Sequence, residues 1–172
     1  GEFQQRFPGR VRLSRWLDGK QWDEMAQRQQ LLEMGRAAGG THFAMIDADE
    51  ILTANLLGSI RAMVEVLAPG AVLDLPMVPV WHDLDHYRAD GSVWSAGVMS
   101  TAFSDDPGLA WRTRGPEGYQ HHNRVPARAT RIPGARVEGG VMHLQWADWR
   151  RVVSKHRWYG ILERCRWPSY DV

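Results

Sequence analysis

The sequence predicts an α/β layered fold with an open, mostly parallel sheet flanked by helices, because strand-like and helix-like patterns alternate along the chain. Residues 22–38 carry apolar side chains at helical spacing. Residues 41–46 form a short, continuous apolar run, as buried parallel strands do. A second helical pattern over residues 53–67 and another apolar run over residues 71–80 repeat this order. Such alternation is typical of α/β proteins.

The remaining patterns complete the predicted layers. Alternating apolar and basic residues at 10–16 predict a short strand. Two prolines within residues 71–80 place that strand at a sheet edge or in bent geometry. Residues 81–139 lack clear periodicity and predict loops with short strands. Residues 141–146 predict a further strand, and Asp148 is expected to cap a final helix.

Length and composition predict one domain without an excess of charge. The 172 residues include 21 Lys and Arg and 20 Asp and Glu, which gives a net charge of +1. This balance gives no electrostatic reason to expect nucleic-acid binding over the whole surface. No run approaches the ~20 apolar residues that a membrane span needs, and the single cysteine cannot form an internal disulfide. We therefore expect a cytoplasmic domain without a nucleic-acid partner or a membrane span.

Two carboxylates one residue apart directly follow the predicted central strand. Asp47 and Asp49 come after the apolar run of residues 41–46, and ligands in open α/β sheets bind outside the carboxyl ends of strands. Two carboxylates at such a place repel each other unless a positive charge lies between them. Oxygen ligands suit Mg²⁺ and Mn²⁺, so the pair predicts a metal site with a bound diphosphate. The alternative is a helix start that carries acidic residues, which the helix dipole favours.

Nine tryptophans are an unusual number for a chain of this length. Tryptophan fills protein cores, but its ring is also a stacking platform for sugars. Trp81, Trp94 and Trp111 lie in loop-like sequence. We therefore expect these three to contact a carbohydrate acceptor and the other tryptophans to be buried or partly buried.

The acidic turn and its flanks resemble the Asp-x-Asp region of GT-A glycosyltransferases, especially family 2. The similar segment reads Thr-His-Phe-Ala-Met-Ile-Asp-Ala-Asp-Glu-Ile-Leu at residues 41–52, and the likeness continues at residues 140–146 and in the aromatic-basic helix that follows. The resemblance implies a GT-A-like, Rossmann-like fold that lacks the amino-terminal strands for the nucleotide base. It also implies transfer of a sugar from a nucleotide-sugar donor to a carbohydrate or other hydroxyl acceptor, with Mn²⁺ or Mg²⁺.

Carried over to this sequence, the resemblance implies roles for four residues. Asp49 would bind the metal directly, and Asp47 would contact the ribose or support the metal through water. His143 would supply another metal ligand, and Arg28 would lie near the nucleotide or its phosphates. The alternatives are a hydrogen-bonded histidine at a strand end for His143 and an exposed helix arginine for Arg28.

The same resemblance divides the single domain of residues 1–172 into three parts. Residues 1–80 would form the donor and metal half, residues 81–139 an irregular acceptor region, and residues 140–172 a closing strand and helix. An inverting reaction also needs a carboxylate that takes the acceptor proton, and the family places this base well after the acidic turn. The candidates in that order are Asp105, Asp106 and Glu117, with Asp83 and Asp85 as weaker ones.

Two histidine pairs and two other functional classes remain open. We expect His82 with His86, and His121 with His122, to contact the acceptor or to form loop hydrogen bonds rather than to bind a second metal. A nucleotidyltransferase-like enzyme would share the metal and nucleotide chemistry, but it needs a Gly-rich, basic loop that is absent before residue 10. In a non-catalytic carbohydrate-binding or structural α/β domain, the acidic residues would only cap a helix.

Overall fold

The computed structural model describes residues 2–14, 23–111, 124–131 and 138–167, and every structural statement below refers to these residues. The helices are α1 (Glu2–Arg6), α2 (Glu24–Ala37), α3 (Ile60–Glu65) and α4 (Trp149–Arg166), with a 3₁₀ turn at Ala54–Leu56. The strands are β1 (His42–Ala44), β2 (Glu50–Leu52), β3 (Ala71–Trp81), β4 (Val98–Ser104), β5 (Thr130–Arg131) and β6 (Val141–Trp146). Only α2 and α4 are substantial helices within the described residues.

The six strands form one mixed, mostly antiparallel sheet that curls strongly into a half-barrel. Its order is β1-β4-β3-β6-β2, and β5 also pairs with β3. The pairs β1/β4, β3/β4 and β2/β6 are antiparallel, whereas β3/β5 and β3/β6 are parallel. The predicted open, mostly parallel GT-A-like sheet flanked by helices is therefore wrong.

The error has a local cause in each of three segments. The apolar run that predicts a central parallel strand forms β1, which has three residues and lies at one end of the sheet. The second helical pattern is divided between the 3₁₀ turn and the six-residue α3, which is too short for a regular crossover helix. β2 was not expected as a strand, and β4 lies in residues 81–139, where short strands were expected but not placed; both add antiparallel pairs.

The helices with clear capping signals form as predicted. The Asp23 carboxylate accepts a hydrogen bond from Ala26 N at 2.9 Å and begins α2. Asp148 accepts from Arg150 N at 2.9 Å and begins α4. An Asp before the first turn pairs with backbone N–H groups that have no partner inside the helix. None of the helices in the described residues is long and apolar enough to cross a membrane.

The proline-containing strand lies in the middle of the sheet and is irregular. β3 pairs with β4 over its first half and with β6 over its second half. Its register shifts between Leu73 and Asp74 and again between Pro79 and Trp81. Proline cannot donate a ladder hydrogen bond, and the predicted edge position is wrong because β3 pairs with other strands on both sides.

Two apolar cores lie against opposite faces of β3, because Val72 and Leu73 are neighbours in a strand and point in opposite directions. The first core joins α2 to the sheet and is formed by Met25, Leu32, Met45, Val72, Phe103, Leu109 and Trp111. The second is formed by Leu56 of the 3₁₀ turn with Leu73, Leu75, Ala102 and Val141, and partly buried residues, most of them in or next to α3, pack against it.

The acidic turn bridges the open side of the curled sheet. β1 and β2 are the two end strands, yet only residues 45–49 connect them. In a flat five-stranded sheet, with strands about 4.8 Å apart, the ends would lie roughly 19 Å from each other. Five residues span roughly that distance only when almost fully extended. Instead, Glu50 N donates to Asp47 O at 3.0 Å in a turn, so the sheet curls to bring its ends together.

Candidate functional site

Glu50 closes the acidic turn from inside. Its side chain is only 1% exposed, and its Oε2 accepts a hydrogen bond from Asp47 N at 3.0 Å. Glu50 is also the first residue of β2 and pairs with His143 of β6. The acidic turn therefore contains one buried carboxylate, that of Glu50, and two more exposed ones, those of Asp47 and Asp49.

Arg124 supplies the positive charge for two of these three carboxylates. Its Nη1 lies 2.6 Å from Glu50 Oε1 and 2.7 Å from Asp47 Oδ2, and its Nη2 lies 2.8 Å from Glu50 Oε2. Arg124 also donates to the backbone oxygens of Met45 and Ser100 at 3.1 and 3.0 Å. A guanidinium suits this arrangement because its planar fork binds a carboxylate in bidentate fashion.

No motif in the sequence selects Arg124, which follows Glu50 by 74 residues. The signal that could have found it is indirect. A glutamate at the start of a strand, where its side chain becomes buried, needs a cationic partner. Nothing in the sequence shows which arginine provides it. The predicted histidine pair His121 and His122 lies outside the described residues.

Arg28 and Asp47 meet at the wall of a cavity, as their predicted shared role requires. Arg28 Nη2 lies 3.5 Å from Asp47 Oδ1, and its Nε donates to Glu24 Oε1 at 2.8 Å. The cavity has a volume of about 520 Å³ and lies between α2 and the β1 segment. Gln27 also lines it, and the amide nitrogen of Gln27 is buried without a hydrogen-bond partner among the described residues. The other walls are mainly apolar.

Asp49 and His143 form a second, separate pair. Asp49 Oδ2 lies 3.6 Å from His143 Nε2. The β2/β6 pairing holds them together, since Leu144 N donates to Asp49 O at 2.8 Å. The Asp49 side chain is 42% exposed and that of His143 is 16% exposed. This pair is therefore open to solvent mainly through the carboxylate.

Burial keeps His143 in its neutral form. Burial lowers the pKa of the imidazole below its ordinary 6.5, and this effect outweighs the opposite influence of Asp49 and Glu50. Lys155 and Arg124 lower it further. A neutral imidazole has a lone pair that can bind a metal or accept a proton. The Nδ1 atom of His143 is buried and has no hydrogen-bond partner among the described residues.

An aromatic wall adjoins His143 and includes two of the three tryptophans predicted to bind the acceptor. The ring of Trp146 contacts those of His143, Trp81 and Trp94, with centroids 5.6, 6.2 and 5.7 Å apart. The guanidinium of Arg88 lies over Trp81 at 5.2 Å. Trp94 is 53% exposed, so its ring offers a surface. Trp146 joins these residues to His143, a link that the sequence did not indicate.

The third predicted acceptor residue, Trp111, lies in the first core. It is 8% exposed, and its ring packs edge-on against Phe103 at 5.7 Å. Its backbone N–H donates to Gln29 Oε1 at 2.9 Å. Its role in acceptor binding stays a prediction, which this burial does not favour.

The two described candidates for the catalytic base are bound elsewhere. Arg36 pairs with Asp105 in bidentate fashion at 2.8 and 2.7 Å and lowers the pKa of its carboxyl group. Asp106 Oδ1 accepts from Gly108 N at 2.8 Å. No described contact joins either residue to His143 or Asp49. The third candidate, Glu117, lies outside the described residues.

The histidine pair at 82 and 86 belongs to an exposed loop after β3 rather than to a helix. His86 Nδ1 lies 2.7 Å from Asp83 Oδ1, and this contact raises the pKa of the imidazole. Asp83 Oδ1 also accepts from Asp85 N at 2.9 Å, which stabilises the loop. His82 has a left-handed backbone with φ of 71°. These contacts account for Asp83 and Asp85 as loop residues.

The donor set at Asp49 fits a divalent cation only if other groups complete its coordination. Within residues 2–14, 23–111, 124–131 and 138–167, no three His, Cys, Asp or Glu side chains are grouped so that they could hold a metal ion. One carboxylate and one imidazole leave positions for water and phosphate oxygens, as in many nucleotide-binding sites for Mg²⁺. Comparison with protein-family models, curated proteins and solved structures gives no significant match to this chain.

Proposed function

We propose that the chain acts in sugar transfer from a nucleotide-diphosphate sugar to an acceptor hydroxyl, with a divalent cation held at Asp49 and His143. The observation that carries this proposal is the 3.6 Å approach of Asp49 Oδ2 to Nε2 of the mostly buried His143. The two residues are 94 positions apart in sequence and share the end of the sheet that the acidic turn bridges.

The cavity beside Asp47 suits the nucleoside part of the donor. Its volume of about 520 Å³ lies within the usual range for small-molecule sites. Apolar walls favour a flat base. Arg28 can bind a phosphate, while Asp47 Oδ1 can accept from ribose hydroxyls at the same wall.

The cation would act on the donor diphosphate, and the aromatic wall would bind the acceptor. A bound cation stabilises the diphosphate leaving group by neutralising its charge. Asp49 and His143 would hold this cation, and an imidazole nitrogen is a better ligand for Mn²⁺ than for Mg²⁺. Trp81 and Trp94 would hold the acceptor by stacking, because their cluster directly contacts His143.

A second candidate function is metal-independent carbohydrate binding. The observation in its favour is that Arg124 already balances Asp47 and Glu50. The turn is then stable without a cation, and the aromatic wall alone can bind a sugar. This alternative predicts that carbohydrate binding persists when Mn²⁺ is removed by a chelator.

The proposal is tested by the melting temperature of the chain with Mn²⁺ and a uridine or guanosine diphosphate. A ligand at a hundred times its Kd adds about 2.7 kcal/mol, which corresponds to roughly 5–10 °C for a chain of this size. Asp49→Asn should abolish this increase. The matched control is Asp83→Asn, because Asp83 also pairs with a histidine at 2.7 Å but lies in the exposed loop.

The outcomes separate the two candidates. An increase that is present in the wild type and Asp83→Asn but absent in Asp49→Asn supports the cation site. An increase that survives in Asp49→Asn places the cation elsewhere and refutes the proposal. The absence of any increase at millimolar Mn²⁺, together with sugar binding in a chelator, supports the second candidate instead.

A further inference from the structure

The outer face of α4 is exposed along most of its length. Among its described side chains, only Val152 is buried. Trp158 and Ile161 are 57% and 55% exposed. Large apolar side chains that stay exposed on one helix mark an interaction surface when they are contiguous.

Helical spacing makes these side chains contiguous. With 3.6 residues per turn, residues three, four or seven positions apart share a face. An apolar and small stripe on this face consists of Ser154, Trp158, Ile161 and Cys165, all exposed. An arginine row beside the stripe consists of Arg150, Arg157 and Arg164, spaced by seven residues, and Arg151 lies at the other border. We call this set of eight side chains the basic-aromatic face.

The charge of α4 differs from that of the rest of the chain. Its 18 residues contain six Lys and Arg and a single Glu, whereas the whole chain has a net charge of only +1. The remainder of the chain is therefore net acidic. Within the described residues, none of the four arginines of the basic-aromatic face takes part in an ion pair. Their charge is thus free to act on a partner.

We propose that the basic-aromatic face of α4 binds the surface of an anionic phospholipid bilayer. Tryptophan is favoured at the boundary between headgroups and acyl chains, where its apolar ring and its N–H are both accommodated. Arginine forms bidentate hydrogen bonds with phosphate, and basic residues near an anionic leaflet each add to binding. The helix would lie in the plane of the surface, with Trp158 and Ile161 towards the acyl chains.

The composition of this face favours a bilayer over two other partners. A nucleic acid would use the arginines for its phosphates, but it would leave the exposed Ile161 without an apolar partner. A protein partner needs a matching shape. A fluid bilayer needs only an exposed face with cations beside an apolar stripe, which the described residues of α4 provide. The inference does not depend on the proposed transfer reaction.

The test is sedimentation of the chain with lipid vesicles at low ionic strength. One set of vesicles contains phosphatidylcholine alone, and the other contains phosphatidylcholine with about one third phosphatidylglycerol, since surface charge drives such binding. We expect at least about tenfold tighter binding to the anionic vesicles, weakened by added salt. Quenching of tryptophan fluorescence by brominated lipid would show that rings enter the bilayer.

Two variants and one control test the face itself. Trp158→Ala/Ile161→Ala removes the exposed apolar stripe, and a triple Arg→Glu change at 150, 157 and 164 reverses the arginine row. Each should weaken binding to anionic vesicles by about tenfold or more. The control reverses the same number of charges at Arg6, Arg10 and Arg12, which are exposed in the amino-terminal segment. When the salt concentration is adjusted to compensate for the change in net charge, this control should bind the anionic vesicles as tightly as the wild type does.

Each result decides for or against the bilayer. Preferential binding to anionic vesicles that is lost in both α4 variants and retained in the control supports the proposal. Equal loss in the control shows a general charge effect and overturns it. Self-association or duplex DNA binding that both α4 variants abolish, without any vesicle binding, assigns the face to a different partner and also overturns it.

Discussion

Replacement of Arg124 by methionine should destabilise the fold more than any other single change at the acidic turn. Arg124 donates to both oxygens of Glu50 at 2.6 and 2.8 Å, and to Asp47 at 2.7 Å. The Glu50 side chain is 1% exposed and that of Arg124 is 13% exposed. Methionine keeps much of the apolar stem but removes the charge. The buried carboxylate of Glu50 then has no cationic partner among the described residues.

The expected magnitude follows from that burial. Removal of one partner from a buried ion pair costs about 3–5 kcal/mol, because the remaining charge is left uncompensated. For a chain of this size, each kcal/mol lowers the melting temperature by roughly 2–4 °C. Arg124→Met should therefore lower the melting temperature by roughly 6–20 °C. The loss of the backbone contacts to Met45 and Ser100 acts in the same direction.

Urea unfolding measures this change, and a matched variant tests its cause. Arg61→Met makes the same substitution in an Arg–Glu pair of similar length, 2.7 Å to Glu65, but the Arg61 side chain is 88% exposed. Exposed pairs contribute little to stability, so this variant should unfold almost as the wild type does. Arg124→Met/Glu50→Leu removes both buried charges and should recover part of the loss. A loss in Arg124→Met as small as that in Arg61→Met would refute the reasoning.

Two further substitutions test the sheet and the Asp105 pair. Gly140→Ala would direct a methyl group into the Pro76 carbonyl and should cost about 1–3 kcal/mol or more in urea unfolding, whereas Gly58→Ala, with nothing within 4 Å, should cost little. Asp105→Asn should change how the free energy of unfolding depends on pH under acidic conditions, because Arg36 lowers the pKa of Asp105 below 3.8. The pair therefore stabilises the fold above pH 3.8 and loses that contribution as the pH falls below it, so the pH dependence in that window should be shallower in the variant. An unchanged slope would show that Asp105 does not titrate differently on folding.

The two long helices were predictable because their signals are local. Apolar residues at helical spacing, with Asp23 and Asp148 directly before the first turn, specify α2 and α4 within a few residues. Residues 141–146 likewise form the predicted strand. For the two helices the deciding contacts join residues near in sequence, whereas β6 was recognised from its own apolar run although its partners β2 and β3 are distant in sequence.

The direction and order of the strands were not predictable, because distant residues decide them. The run at 41–46 is apolar whether its neighbour is parallel or antiparallel, and only pairing with β4 makes it an antiparallel end strand. β4 itself reads Val-Met-Ser-Thr-Ala-Phe-Ser, and its Ser100 and Thr101 are buried by sheet contacts rather than by their own apolarity. Ser100 Oγ donates to the buried Asp74 at 2.6 Å, so two polar residues satisfy each other inside the sheet.

Two residue pairs of the candidate site could be selected from the sequence, but the balance of charge at the acidic turn could not. Asp49 and His143 were selected from the sequence and lie 3.6 Å apart, and Arg28 and Asp47 also meet. The acidic turn, however, was expected to need a dication between Asp47 and Asp49. Asp47 instead faces Arg124, which is 77 positions away.

This difference leaves Asp49, rather than Asp47, as the carboxylate of the turn that is available to a cation. Coulomb repulsion between Asp47 and Glu50 is relieved by one guanidinium that touches both, so folding does not require a metal there. Asp49 has no arginine within the described contacts, and its partner is an imidazole that burial keeps neutral. Among the three carboxylates of the acidic turn, Asp49 is therefore the one that has no positively charged partner in the described contacts. A cation brought by a diphosphate would be attracted to Asp49, and a metal-dependent activity would depend on this carboxylate rather than on Asp47.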